Sequence, residues 1–93
     1  MNALTPELFN EIAEAMRSAG VYRRYDYELA RALCVHRNMI ARYRNGIVLV
    51  EGLRARLMMQ WLESYKAEDK EAMKIISDIL SAEHDLSAEH DNG

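Results

Sequence analysis

Apolar residues recur every four positions at Leu4, Leu8, Ile12 and Met16, with Phe9 and Ala13 beside them. That period puts them on one face of a helix. Thr5-Pro6-Glu7 supplies its start: a hydroxyl cap, a proline in the first turn and an acid near the positive end of the dipole. Gly20 marks the stop. A second helix is expected from about Asp26, taken as its cap, to Leu33, and a third from about His36 to Asn45, closed by Gly46. Only a tight turn fits between Leu33 and His36, which makes the pair a helix-turn-helix. On a helical wheel Ile40, Tyr43, Met39 and His36 turn inward. Arg37, Asn38, Ala41, Arg44 and Asn45 turn outward, with Arg42 at the edge.

The run Ile47-Val48-Leu49-Val50 has the β-branched content of a strand, but no partner strand is evident, so it reads as a connection packing onto the core. A fourth helix follows from about Val50 to Tyr65. It is apolar nearly all round: Leu53, Leu57 and Trp61 line one side, Met58, Leu62 and Met59 continue past it, and Arg56, Gln60 and Glu63 form a narrow polar strip. Such a helix needs cover on two sides, one from its own domain and the other from a second copy of the chain or from the fifth helix. A fifth, from about Ala67 to Leu80, carries Ala72, Met73, Ile76, Ile79 and Leu80 opposite Lys70, Glu71, Lys74 and Asp78. Its apolar stripe comes after a bundle that is already complete, so self-association is expected through Met58, Met59, Leu62, Met73, Ile76, Ile79 and Leu80. The last segment repeats SAEHD at Ser81 and Ser87 and reads as a flexible acidic tail. Its Glu83, His84, Asp85, Glu89, His90 and Asp91 have nothing to orient them as metal ligands, so no metal site is expected. The resulting organisation is a helical domain over 1–65, an oligomerisation helix over 66–81 and a tail over 82–93.

Charge changes the picture more than composition does. The 93 residues carry a net charge of −3, with 49% hydrophobic residues, enough for a core. The balance is uneven. Residues 1–56 hold nine arginines against six acids, or +3, while residues 57–93 hold three lysines against nine acids, or −6, and the two add to the −3 of the whole. No acid occurs from Val35 to Val50, the stretch containing the third helix. A basic surface joined to an acidic extension is implied. No apolar run approaches the roughly 18 residues of a membrane span, the N-terminus lacks a signal-peptide pattern, and Cys34 is alone. A cytoplasmic protein without disulfides is expected.

The segment Asp26–Gly46, DYELARALCVHRNMIARYRNG, resembles the helix-turn-helix of the Cro/repressor (XRE-like) DNA-binding family. Leu29-Ala30 match the start of the positioning helix, where a small alanine admits the second helix. Leu33 and Val35 bracket the turn, Ile40 fills the core, and Arg44-Asn45-Gly46 match the closing pattern. Cys34 stands where the family usually has a glycine in left-handed conformation, a replacement costing on the order of 1 kcal/mol. The resemblance implies an all-α, compact five-helix lambda-repressor-like domain with a C-terminal oligomerisation helix. The layout is also similar to small phage and prophage regulators, including the lysogeny activators of lambdoid phages and YdaS-type proteins.

The resemblance implies a sequence-specific transcription regulator acting as a homodimer or homotetramer on double-stranded DNA, with RNA polymerase a further partner of the activators. The outward residues suit that role chemically. Arginine pairs with guanine O6 and N7, asparagine with adenine N6 and N7, and Ala41 fits against a thymine methyl. Arg42 and Arg44 suit phosphates, as do Arg23, Arg24 and Tyr27 ahead of and within the second helix. The Tyr/Arg run Val21–Tyr25 also suits packing over the core by stacking. The alternative reading is a protein-interaction module, an antitoxin or adaptor, that uses the same fold without reading DNA. No catalytic residues, cofactor or enzymatic activity are expected: there is no phosphate loop, no His/Cys metal spacing and no nucleophile with an evident base.

Overall fold

Thr5 opens the first helix by accepting the Leu8 amide on its hydroxyl at 3.1 Å, with Pro6 in the first turn where its missing N–H costs nothing. A computed structural model describes the backbone of residues 3–92 and the side chains of residues 3–82. Five helices follow in order: α1 (Pro6–Ser18), α2 (Asp26–Leu33), α3 (Arg37–Arg44), α4 (Gly52–Lys66) and α5 (Lys70–Asn92). Among the described residues there is no strand; a single antiparallel bridge joins Ala3 to Glu51, and the Leu4 amide donates to the Val50 carbonyl at 2.9 Å. The segment before α4 therefore does find a partner, at the other end of the chain. Val50 is buried there, while Ile47 and Leu49 point outward.

The first four helices close by one device. In each, a residue at the helix end turns left-handed, and the following amide reaches back to a carbonyl five residues earlier: Val21 to Met16, Val35 to Ala30, Ile47 to Arg42 and Asp69 to Ser64. Gly20 and Gly46 supply that turn after α1 and α3; Cys34 (φ 55°) and Glu68 (φ 58°) supply it after α2 and α4. The left-handed conformation expected at Cys34 is what the chain adopts. At Gly46 the requirement is double, because a Cβ there would lie 2.7 Å from the Pro6 ring. The turn after α3 is thus packed onto the start of α1.

The core gathers Phe9, Ile12 and Met16 of α1, Leu29 and Leu33 of α2, Ile40 and Tyr43 of α3, Met58 and Trp61 of α4, and Ile76 and Leu80 of α5. Phe9 and Tyr43 rings meet at 5.2 Å and 51°, locking α3 to α1. Trp61 is fully buried, stacks on Tyr65 at 5.5 Å, and donates its indole N–H to the Ser77 hydroxyl at 3.0 Å. The fifth helix packs on α4 and α2. It is part of this core and not only an appendage to it. Asp69, just before it, accepts the Ala72 amide on its carboxylate and so starts α5 three residues later than its apolar pattern suggests. The helix continues to Asn92, past the expected end near Leu80. The side chains of the repeat, including Glu83, His84, Asp85, Glu89, His90 and Asp91, lie outside the described residues.

Candidate nucleic-acid interface

The two helices α2 and α3 are joined by Cys34, Val35 and His36 alone. Their relative placement rests on Leu29, Ala30 and Leu33 from α2 meeting Ile40 and Tyr43 from α3 in the core. With that face buried, α3 presents Arg37, Asn38, Ala41 and Arg42 to solvent, as its period requires. Met39 is half-buried against the core. His36 departs from the inward orientation expected of it. It is exposed as the N-cap of α3, and its Nδ1 accepts the Asn38 amide at 3.2 Å. A cap must stand outside the first turn it satisfies, so this residue belongs to the rim and not the core.

Not every outward arginine is free. Arg44 donates from Nη2 and Nε to the two carboxylate oxygens of Asp26, at 2.8 and 3.2 Å, and from Nη1 to Asn10 Oδ1 at 2.7 Å. Asn10 in turn donates to the Arg44 carbonyl at 3.3 Å. The Asp26 hydrogen bond is the main reason the Arg44 guanidinium is held above its ordinary pKa. Arg44 thus ties the end of α3 to α2 and α1, so the guanidinium expected to meet a phosphate is engaged within the chain. The same pairing explains why Asp26 is not the cap of α2: its carboxylate faces Arg44, and the helix start is completed by Glu28. That carboxylate accepts the Arg24 and Tyr25 amides at 2.7 and 2.9 Å, and these bonds, Tyr25's foremost, hold its pKa below the usual glutamate value. Asn45 caps α3, and its side-chain amide donates to the Ala41 carbonyl at 2.9 Å, leaving its side-chain oxygen outward.

The remaining cations differ from Arg44. Arg17 pairs with Glu14, Lys66 with Glu11 and Lys74 with Asp78. Arg23, Arg24, Arg37 and Arg42 are exposed and form no ion pair among the described residues. Tyr27 is half-exposed in the first turn of α2, stacked on Tyr25 at 5.7 Å and 15°, and the Arg24 guanidinium lies 5.4 Å from the Tyr25 ring centre. Tyr25 precedes the helix as its N-cap and so lies outside the apolar period. In the same run Tyr22 packs into the core, while Tyr25 stays exposed.

The expected self-association residues are mostly interior. Met58, Leu62, Ile76 and Leu80 are buried within the single chain, and Met59 and Met73 are half-buried. The reason is that α5 folds back onto α4 and supplies the second cover itself. Of the expected set only Ile79 is exposed; Ile75, Leu53, Ile47 and Leu49 are exposed apolar residues as well. Among the described residues no group of three or more metal-ligating side chains is assembled, and no helix is long and apolar enough to cross a membrane. Comparison with protein-family models, with curated proteins and with solved structures returns no match.

Proposed function

We propose that α2, the Cys34–His36 turn and α3 form a helix-turn-helix unit, and that the protein is a sequence-specific DNA-binding transcriptional regulator of the phage and prophage kind. The observation that carries this reading is the outer face of α3, where Arg37, Asn38, Ala41 and Arg42 are exposed and the arginines lack acidic partners. An acid-free helix with a small residue at its centre suits the major groove: Arg37 and Asn38 read base edges, Ala41 permits close approach, and Arg42 grips a phosphate. Arg23 and Arg24 extend the positive surface to the start of α2. Arg44 orients α3 from behind. Two copies are needed to meet two half-sites about one helical turn apart. Their contact draws on exposed apolar residues, among them Ile75 and Ile79 one turn apart on α5.

The test is binding to fragments of the surrounding genome across a salt series. Affinity is expected to fall steeply with salt, and the joint variant Arg37→Ala, Asn38→Ala is expected to abolish preference for one fragment over others while leaving the fold intact. Salt-independent binding, or undiminished preference in the joint variant, overturns the reading.

A further inference from the structure

Ahead of α2 lies an aromatic surface that groove readout does not use. Tyr25 and Tyr27 are 51% and 49% exposed, although an ordinary tyrosine packs its ring and shows its hydroxyl. Their rings are nearly parallel, 15° apart with centres at 5.7 Å, and the Arg24 guanidinium stands 5.4 Å from the Tyr25 ring centre. The Arg24 guanidinium lies over the Tyr25 ring and the Tyr27 ring is stacked on Tyr25, so the three planar groups form one stack in which each ring is about half exposed. The backbone beneath is held, because the Arg24 and Tyr25 amides both donate to the Glu28 carboxylate. Asp26 is paired with Arg44 and Glu28 accepts these amides, while the Arg23 and Arg24 guanidinium groups are exposed and form no ion pair among the described residues, the Arg23 charge acting on Glu28 only at longer range.

We infer that Tyr25 and Tyr27, flanked by Arg23 and Arg24, form a stacking platform for an unpaired nucleotide, so that the protein binds single-stranded nucleic acid at a site separate from the outer face of α3. A flat ring pair takes the face of any base, and adjacent arginines take the phosphates on either side. A quaternary ammonium ligand is disfavoured by the two guanidinium groups. Placed at the start of α2, which the Asp26–Arg44 pair ties to the end of α3, the platform lies beside the proposed duplex interface. There it would favour DNA with a frayed end or an extruded base. The inference shares with the proposed function the nucleic-acid partner and the charge of Arg23 and Arg24, but not the outer face of α3.

The probe is a labelled oligothymidylate of about 12 nucleotides, a length within the range one small domain covers, with an oligouridylate of equal length to distinguish deoxyribose from ribose strands. Binding of either strand by the full chain is expected. The joint variant Tyr25→Leu, Tyr27→Leu is expected to weaken it roughly 5- to 150-fold, the range for removing a stacked base. The variant Tyr25→Phe, Tyr27→Phe keeps the rings and is expected to bind as the parent does. Both pairs are at the surface, and circular dichroism verifies their fold. Absence of binding to both strands, equal loss in the Phe variant, or no loss in the Leu variant each overturns the inference. Duplex binding by the outer face of α3 is read separately with the Arg37→Ala, Asn38→Ala protein, which is expected to keep its affinity for the single strand. Loss of single-strand affinity there as well would place the strand on α3 and overturn the inference while leaving the duplex reading standing.

Discussion

Replacing Arg44 by alanine should cost stability and spare DNA affinity, the opposite of what its place on an arginine-rich helix suggests. The side chain makes three hydrogen bonds of 2.7 to 3.2 Å, two to the Asp26 carboxylate and one to Asn10. Arg44 is 31% exposed and Asp26 45%. Shielded bonds to charged groups contribute about 1.5–3 kcal/mol, and fully exposed pairs about 0.2–1 kcal/mol. With exposure between those limits, the loss should be about 1–2 kcal/mol, part of the network surviving through the Asn10 bond to the Arg44 backbone carbonyl. For a domain of this size, that corresponds to a fall in Tm of roughly 4–16 °C. Thermal unfolding followed by circular dichroism measures it. A cycle with Asp26→Asn and Arg44→Gln isolates the pair, with an expected coupling of about 1 kcal/mol. Arg42→Ala, at an exposed unpaired position, should change stability by less than about 0.5 kcal/mol. If Arg44→Ala leaves Tm unchanged yet weakens DNA binding as Arg37→Ala does, the assignment of Arg44 as a structural tie is wrong.

Three further outcomes follow from the helix ends. Gly46→Ala should destabilise by about 2 kcal/mol or more, since it combines a left-handed backbone with a Cβ 2.7 Å from Pro6, whereas Gly20→Ala, with open space around it, should cost only about 1 kcal/mol; urea midpoints compare them. Glu68→Gly should stabilise by about 0.5–1 kcal/mol by relieving the positive φ of 58° at the end of α4, and an unchanged or lower midpoint counts against strain there. Glu28 should make stability acid-sensitive. Its carboxyl titrates lower in the folded chain than in the unfolded one, so its contribution is complete above the ordinary glutamate range and is lost as pH falls through the lowered folded value. The deficit of Glu28→Gln relative to the parent, read by urea unfolding from pH 7 downward, should shrink across that acidic window; a constant deficit would contradict the role of the charge.

Much of the fold is legible in the pattern of apolar spacing. The period through Leu4, Leu8, Ile12 and Met16, the Thr5-Pro6 start and the glycine stops give α1, α2 and α3 nearly to the residue, because these signals act within one or two turns. What spacing does not carry is which partner a polar group finds across the chain. Asp26 looks like a cap until Arg44, eighteen positions away, claims its carboxylate. Likewise Met58, Leu62, Ile76 and Leu80 look like an assembly surface, since a second apolar stripe is chemically the same whether a neighbouring helix or another molecule covers it. The exposed face of α3 was readable because burial of Ile40 and Tyr43 fixes its rotation. The tyrosine pair was not, since ring stacking at a helix entrance depends on loop torsions that carry no period.

The seat of Trp61 has a spectroscopic consequence. It is the single tryptophan of the chain, enclosed by α4 and α5, with its indole N–H on Ser77. Its emission is therefore an intrinsic signal for the docking of α5. Released α5 would shift that emission to the red as water reaches the ring, while a ligand on α3 or at Tyr25 and Tyr27 meets no indole. Occupancy of the arginine face and detachment of the last helix can thus be followed in one cuvette, the first by a label on the nucleic acid and the second by the protein's own fluorescence.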